Sequence, residues 1–184
     1  MNSLIDALPV GRMKCVVYRS DVRQHLIELL EAEWSEGDLY FTTSTERFTP
    51  VAGEAVRELT CADSCLFDGS EIREPQWEFY GGGHWVFGIL RNGRVACKTG
   101  TGEIGPVLPS GRRLVAISGL YTDSHYRRQG LAKRLVSHVT ETILRDGHIP
   151  VYWTEPENIA SQNLCRKLGY WQYGQRVICT WQKR

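Results

Sequence analysis

Arg127-Arg128-Gln129-Gly130-Leu131-Ala132 places two fixed cations and a glycine at the onset of an apolar helical period. Just upstream, residues 113–122 read as a strand whose core, Leu114-Val115-Ala116-Ile117, is a short continuous apolar run suited to a central strand buried on both faces. Downstream, Leu131, Leu135, Val136, Val139, Ile143 and Leu144 recur at helical spacing, with Asp146-Gly147 as the stop. A strand, a basic glycine turn and a helix start make an anion site. The first N–H groups of a helix have no partner inside it, and the helix dipole favours negative charge there. Gly130 has no side chain to keep a ligand off the backbone, and arginine adds charge-assisted bonds to phosphate oxygens.

The loop is neither a Walker loop, since no Gly-Lys-Ser/Thr follows, nor a three-glycine dinucleotide fingerprint. Arg127, Gly130 and Ala132 instead fit (Gln or Arg)-x-x-Gly-x-(Gly or Ala). A second segment, Asn158-Ile-Ala-Ser161-Gln-Asn-Leu164-Cys165-Arg-Lys-Leu168-Gly169-Tyr170, fits Asn-x-x-Ala-x-x-Leu-Tyr-x-x-x-Gly-Phe apart from its Ser, Cys and final Tyr. Both motifs, in this order and with room between them for one helix and one strand, resemble the GNAT superfamily of N-acetyltransferases. The resemblance is specific over about 112–173 and compatible with the first hundred residues.

The resemblance implies an α/β (α+β) fold in one domain over 1–184. Its mixed central sheet would have about seven strands, a splay between the two middle strands, and about four flanking helices. It also implies acetyl-CoA as co-substrate, or a longer acyl-CoA, lying in the splay. Leu120, Tyr121 and Thr122 would meet the pantetheine arm. Arg127, Arg128, Gln129, Gly130, Leu131 and Ala132 would hold the pyrophosphate, and Asn158 and Ser161 would form the second wall. The reaction implied is direct attack of a primary amine on the thioester. Cys165 stands where the family often has a Tyr acid. A thiol has an ordinary pKa near 8.5 and is chemically able to protonate a thiolate. Tyr121, Tyr152 or water are the alternatives to it. His84, Glu78, Glu103 and His125 are the candidates for the base, beside water-mediated proton removal.

The acceptor is expected to be an amine-bearing small molecule or amino acid, with a protein or peptide as the alternative. Phe41, Phe48, Trp77, Phe79 and Tyr80, with Glu71, Glu74 and Glu78, would suit a cationic amine, or would simply close the core. Two readings compete: transfer of a longer acyl chain, for which Cys165 leaves more room than Tyr, and an idle acyl-CoA-binding module. A homodimer is compatible with either.

Composition sets wider bounds. The 184 residues carry a formal charge of +1, which gives no argument for nucleic acid or a membrane surface as partner. No apolar run approaches a membrane span and no signal-peptide pattern opens the chain, so a cytoplasmic location is the expectation. Six cysteines without a Cys-x-x-Cys pair read as free thiols in a reducing compartment. Cys61 and Cys65, four apart, match no zinc pattern, and no metal is expected.

The supporting elements follow from periodicity. Strands are expected at 14–18, 85–90 and 94–98 (a hairpin at Asn92-Gly93), 113–122, 151–154, 170–173 and 177–181. Helices are expected at about 21–34, 51–66, 131–144 and 159–168. Residues 41–49 and the glycine-rich 99–111 read as connections, and Gly81-Gly82-Gly83 as a flexible joint.

Overall fold

The structure is a computed structural model that describes residues 11–17, 33–53, 55–77 and 84–183. Most of the expected helix at 21–34, together with Glu78, Phe79, Tyr80 and Gly81–Gly83, lies outside the described residues. The chain divides into two compact units. The larger comprises Phe41–Trp153 and Asn158–Trp171, and the smaller Met1–Tyr40, Thr154–Glu157 and Gln172–Arg184.

Eight strands are described: β1 (Gly11–Val17), β2 (Glu33–Thr42), β3 (Arg57–Leu59), β4 (His84–Arg91), β5 (Arg94–Ile104), β6 (Leu114–Thr122), β7 (Ile149–Thr154) and β8 (Trp171–Lys183). Among the described residues two α-helices, α1 (Leu131–Arg145) and α2 (Ile159–Lys167), and two short 3-10 helices, Cys61–Phe67 and Ser124–Tyr126, accompany them. In the larger unit the strand order is β7-β6-β5-β4-β3. β6 and β7 are parallel and the other pairs antiparallel, so the sheet is mixed, as expected.

The core of this unit follows from the two periods. β4 alternates, so Val86 enters a cluster with Leu59, Phe67, Ile72 and Val95, while Phe87 turns to the other face and meets His138 of α1 edge-on. α1 buries Leu131, Leu135, Val136, Val139 and Ile143 of the stripe expected of it, while Leu144 is half-buried. The hairpin at Asn92-Gly93 forms with both residues at positive φ, as a tight primed turn requires.

Several expectations need correction. The described residues of 51–66 do not form an α-helix. The Val51 N–H donates to Ser137 Oγ (2.8 Å), Arg57–Leu59 pair with the edge of β4, and a 3-10 helix starts behind Thr60. The Thr60–Asp63 capping box marks that start and is readable in the sequence. Trp34, assigned to a helix, and Phe41 and Thr42, assigned to a connection, belong to β2. β5 runs on to Ile104 through residues expected to be a loop, because its glycine-rich half pairs with both β4 and β6. The two closing strands are one continuous strand, β8, whose residues 177–183 pair with β1.

Gly169 is fixed by its surroundings. Its φ is +86°, and an added Cβ would stand 1.9 Å from the Arg47 carbonyl oxygen. Thr49 N–H and Thr43 Oγ1 donate to the carbonyls of Leu168 and Gly169, so the 43–49 turn is clamped onto the end of α2. Gly105, also at positive φ, has open space around it. Gly105→Ala is therefore expected to destabilise by about 1 kcal/mol, the backbone cost alone, and Gly169→Ala by clearly more. Urea midpoints of the two variants, compared at equal m, measure the difference.

Candidate active site

β6 and β7 are in register only from Leu114–Ile149 to Ile117–Tyr152. Beyond Ile117, β6 continues through Ser118–Thr122 with no recorded partner in β7. A bulge accompanies the parting: between the pairs Gly100–Ser118 and Lys98–Tyr121, β6 carries one residue more than β5. Gly119 takes φ +61° there, and Thr99 Oγ1 donates to the Ser118 carbonyl (2.9 Å). Bulges bend a strand and increase its twist, which turns the end of β6 away from β7.

The parting opens a cleft of about 610 Å³. One wall is Leu120, Tyr121 and Thr122. The far end is Tyr126, Arg127, Arg128, Gly130, Leu131 and Ala132. The second wall is Tyr152 with Asn158, Ala160, Ser161 and Leu164 of the α2 turn. Ten of the eleven residues expected to bind the co-substrate therefore line one cavity. Gln129 does not: its side-chain amide turns back and donates to the His125 carbonyl (3.2 Å).

Local ties hold the loop. The Glu71 carboxylate accepts from the Ser124 N–H (3.0 Å) and, through its other oxygen, from the Ser124 hydroxyl; these bonds hold Glu71 below the usual carboxylate range, the hydroxyl contributing most. Asp123 accepts from the His125 N–H and pairs with its Nδ1 (both 3.0 Å). Partial burial is the largest influence on Asp123 and opposes ionisation, yet the bonds from His125 hold it on the acidic side. The Arg127 guanidinium donates to the Thr122 carbonyl (3.1 Å) and lies 5.6 Å over the Tyr121 ring. Arg128 and Gly130 both have positive φ, +62° and +81°. Gly130 caps α1 with no side-chain bond to its first N–H groups, and the space beside its Cα is open. A helix start without a side-chain bond, beside two arginines and left-handed glycine backbone, has the chemistry to take an anion.

At the second wall, Asn158 Oδ1 accepts from the Ser161 N–H (3.0 Å) and caps α2. The Ser161 hydroxyl is 2.6 Å from the Tyr152 hydroxyl. Burial raises Tyr152 above the ordinary tyrosine pKa, against the hydrogen bond from Ser161.

The remaining candidates lie elsewhere. Cys165 is fully buried, its thiol donates to the Gln162 carbonyl (3.1 Å), and it does not line the cleft. Burial pushes this thiol up to about 11. His84 is exposed, with its ring over Gly102 on the β4–β5 hairpin. Glu103 pairs with Arg113, and His125 with Asp123 outside the cleft. Among the described residues no carboxylate or imidazole lines the cleft. Of the aromatics considered for an acceptor wall, Phe41 is buried under Arg166 and Trp77 packs edge-on against Phe67; Glu74 bonds to the Trp77 indole. Cys61 and Cys65 are both exposed. Among the described residues, Glu71, Asp123 and His125 are three potential metal ligands within reach of one another, and all three are engaged in the loop bonds above.

The family follows from sequence comparison. Residues 54–170 match the model of the acetyltransferase (GNAT) family, and the chain belongs to that family. Solved structures agree on the fold. A GNAT-family acetyltransferase from Colwellia psychrerythraea superposes with a TM-score of 0.68 at 15% identity, over 92% of this chain and 65% of that protein. A putative GNAT acetyltransferase from Novosphingobium aromaticivorans gives 0.59 at 18% identity, over 97% and 77%. A GCN5-related N-acetyltransferase from Kribbella flavida gives 0.61 at 13%, over 91% and 67%. The chain thus spans somewhat less than two thirds of the Colwellia protein. No curated protein matches the sequence. No described helix is long and apolar enough to cross a membrane.

The thiols offer a direct check. Exposed Cys61 and Cys65 are expected to be alkylated rapidly at pH 8, whereas Cys97 and Cys165, buried and each pushed up to about 11, stay unmodified until the chain unfolds. Peptide mass spectrometry after iodoacetamide treatment reads the four sites separately.

Proposed function

We propose that this protein is an acyl-CoA-dependent N-acyltransferase, moving an acetyl group from acetyl-CoA to a primary amine on a small molecule or amino acid. One observation carries the reading: the open edge of β6, the start of α1, whose first N–H groups take no side-chain bond from the Gly130 cap, and Arg127–Arg128 all face one cleft. The backbone of Gly130–Ala132 would hold the diphosphate, with Arg127 and Arg128 adding charge. The free edge at Leu120–Thr122 would bind the pantetheine arm as an added strand. A backbone N–H on the same edge would stabilise the thioester oxygen as negative charge develops on it.

Holding donor and acceptor together supplies much of the acceleration. The described lining offers no carboxylate or imidazole, so the acceptor ammonium would lose its proton to water. Cys165 lies off the cleft, so its small size does not widen it for a longer acyl chain. That removes the argument that favoured long donors.

Thermal unfolding with CoA, acetyl-CoA and longer acyl-CoAs tests the donor. A ligand at about a hundred times its Kd stabilises by about 2.7 kcal/mol. The shift is expected to be largest with acetyl-CoA and to vanish in Gly130→Asp, which puts a charge into the anion site. A shift that grows with chain length would replace acetyl by a longer acyl group. Binding without turnover on any small amine, amino acid or lysine peptide would make the protein a binding module. No shift with any donor would end the acyl-CoA reading.

A further inference from the structure

We propose that Tyr152, oriented by the Ser161 hydroxyl, is the acid that protonates the departing thiolate. The inference rests on the acyl-transfer reading above and supplies the proton donor which that reading leaves unassigned. Residue 165 cannot fill the role from its observed position, since its thiol is fully buried, bonded to the Gln162 carbonyl and off the cleft.

The other hydroxyls of the cleft are at the wrong end or already engaged. Tyr121 is 39% exposed beneath the Arg127 guanidinium, whose nitrogen lies 3.4 Å from its hydroxyl. Thr122 Oγ1 contacts the Cys97 sulfur (3.1 Å), and the Tyr126 hydroxyl accepts from the Asn92 amide (3.3 Å). All three lie beside the anion loop. Tyr152 lies where the strands part, being the last β7 residue in register with β6, opposite Ile117. Thr122 is five residues further along β6, about 16 Å at the usual strand rise. A donor anchored by its diphosphate at the loop and running along β6 presents its thioester towards that vertex.

Tyr152 is also preorganised. It is 3% exposed, its ring meets Tyr170 edge-on at 6.2 Å, and its hydroxyl is fixed by Ser161 at 2.6 Å. The titratable groups facing it are Tyr170, Cys165 and Cys97, all raised by burial and therefore neutral near pH 7. Burial keeps the Tyr152 phenol protonated through mildly alkaline pH, and a thiolate in the same desolvated cleft is likewise more basic than in water.

The proton balance closes. The acceptor nitrogen forms the C–N bond and the carbon–sulfur bond breaks. In one concerted relay the sulfur takes the Tyr152 proton while the Ser161 hydroxyl passes its own to the phenol oxygen, so that no serine alkoxide forms. Ser161 in turn takes from water the proton that the acceptor nitrogen released. Tyr152 is the catalytic residue here and Ser161 its positioning partner.

The variants separate this role from packing. Tyr152→Phe keeps the ring against Tyr170, and Ser161→Ala keeps the α2 cap, which uses only the Ser161 backbone. In the full chain, Tyr152→Phe is expected to retain the acetyl-CoA thermal shift and the KM for acetyl-CoA while kcat falls about 10²-fold. Ser161→Ala is expected to show a smaller loss and a displaced alkaline limb of the kcat profile. Titration of the thiol of bound CoA gives a readout independent of turnover: its pKa is expected to be higher in Tyr152→Phe, where the donor to the thiolate is missing. A folded Tyr152→Phe with kcat within about twofold of wild type and an unchanged thiol pKa overturns the assignment. So does a loss of turnover confined to Cys165→Ala. A wild-type protein that binds acetyl-CoA but transfers to no acceptor contradicts the transfer reading, and the bound-thiol titration then decides whether Tyr152 donates to the sulfur. A wild-type protein that binds no CoA overturns both.

Discussion

The parting of β6 from β7 is the constraint on which the candidate site depends. A parallel pair normally satisfies its backbone along its whole length. Here the pairing stops at Ile117 and Tyr152, and β6 runs on for five residues. The bulge opposite Thr99 makes this possible, since the additional residue in β6 lets it stay bonded to β5 while bending away from β7. The exposed edge leaves β6 paired with β5 on one side and open to the cleft on the other.

The anion loop is the second half of the same construction. It follows directly from β6, so the bend that opens the cleft also aims the start of α1 into it. Glu71, Asp123 and the Gln129 side chain fix the turn with bonds that face away from the cavity. Arg127 lies on the Tyr121 ring and the Thr122 carbonyl, already folded against the wall it would share with a ligand. A loop tied this way loses little conformational freedom on binding an anion, which lowers the cost of association.

In the second wall one position of the motif turns away from the cleft. α2 keeps its Asn158 cap and its glycine stop, so the frame of the motif is intact. Within that frame position 165 carries a thiol that turns into the helix and the core. Tyr152 and Ser161 meet on that same wall, with their hydroxyls 2.6 Å apart. Neither residue is singled out by periodicity: Tyr152 reads as one more apolar strand residue and Ser161 as a helix surface position.

How much was legible in the sequence follows from the range of the forces involved. β6, α1, α2, the Asn92-Gly93 hairpin and the glycine turn before α1 depend on contacts a few residues apart, and each is readable from period, caps and turns. The family itself is readable for the same reason, because its motifs are local. The tertiary structure decided what depends on distant partners. Arg57–Leu59 became an edge strand because β4 offered unpaired backbone. Gly100 and Gly102 became strand residues because β4 and β6 flank them. The expected helix at 51–66 lost to a bond with Ser137 and to that edge. Whether Cys165 could act on a ligand depended on the direction of one Cα–Cβ bond on a packed helix. A motif gives that residue's position in the chain; only the packing of α2 against its neighbours decides which side of the wall the thiol occupies.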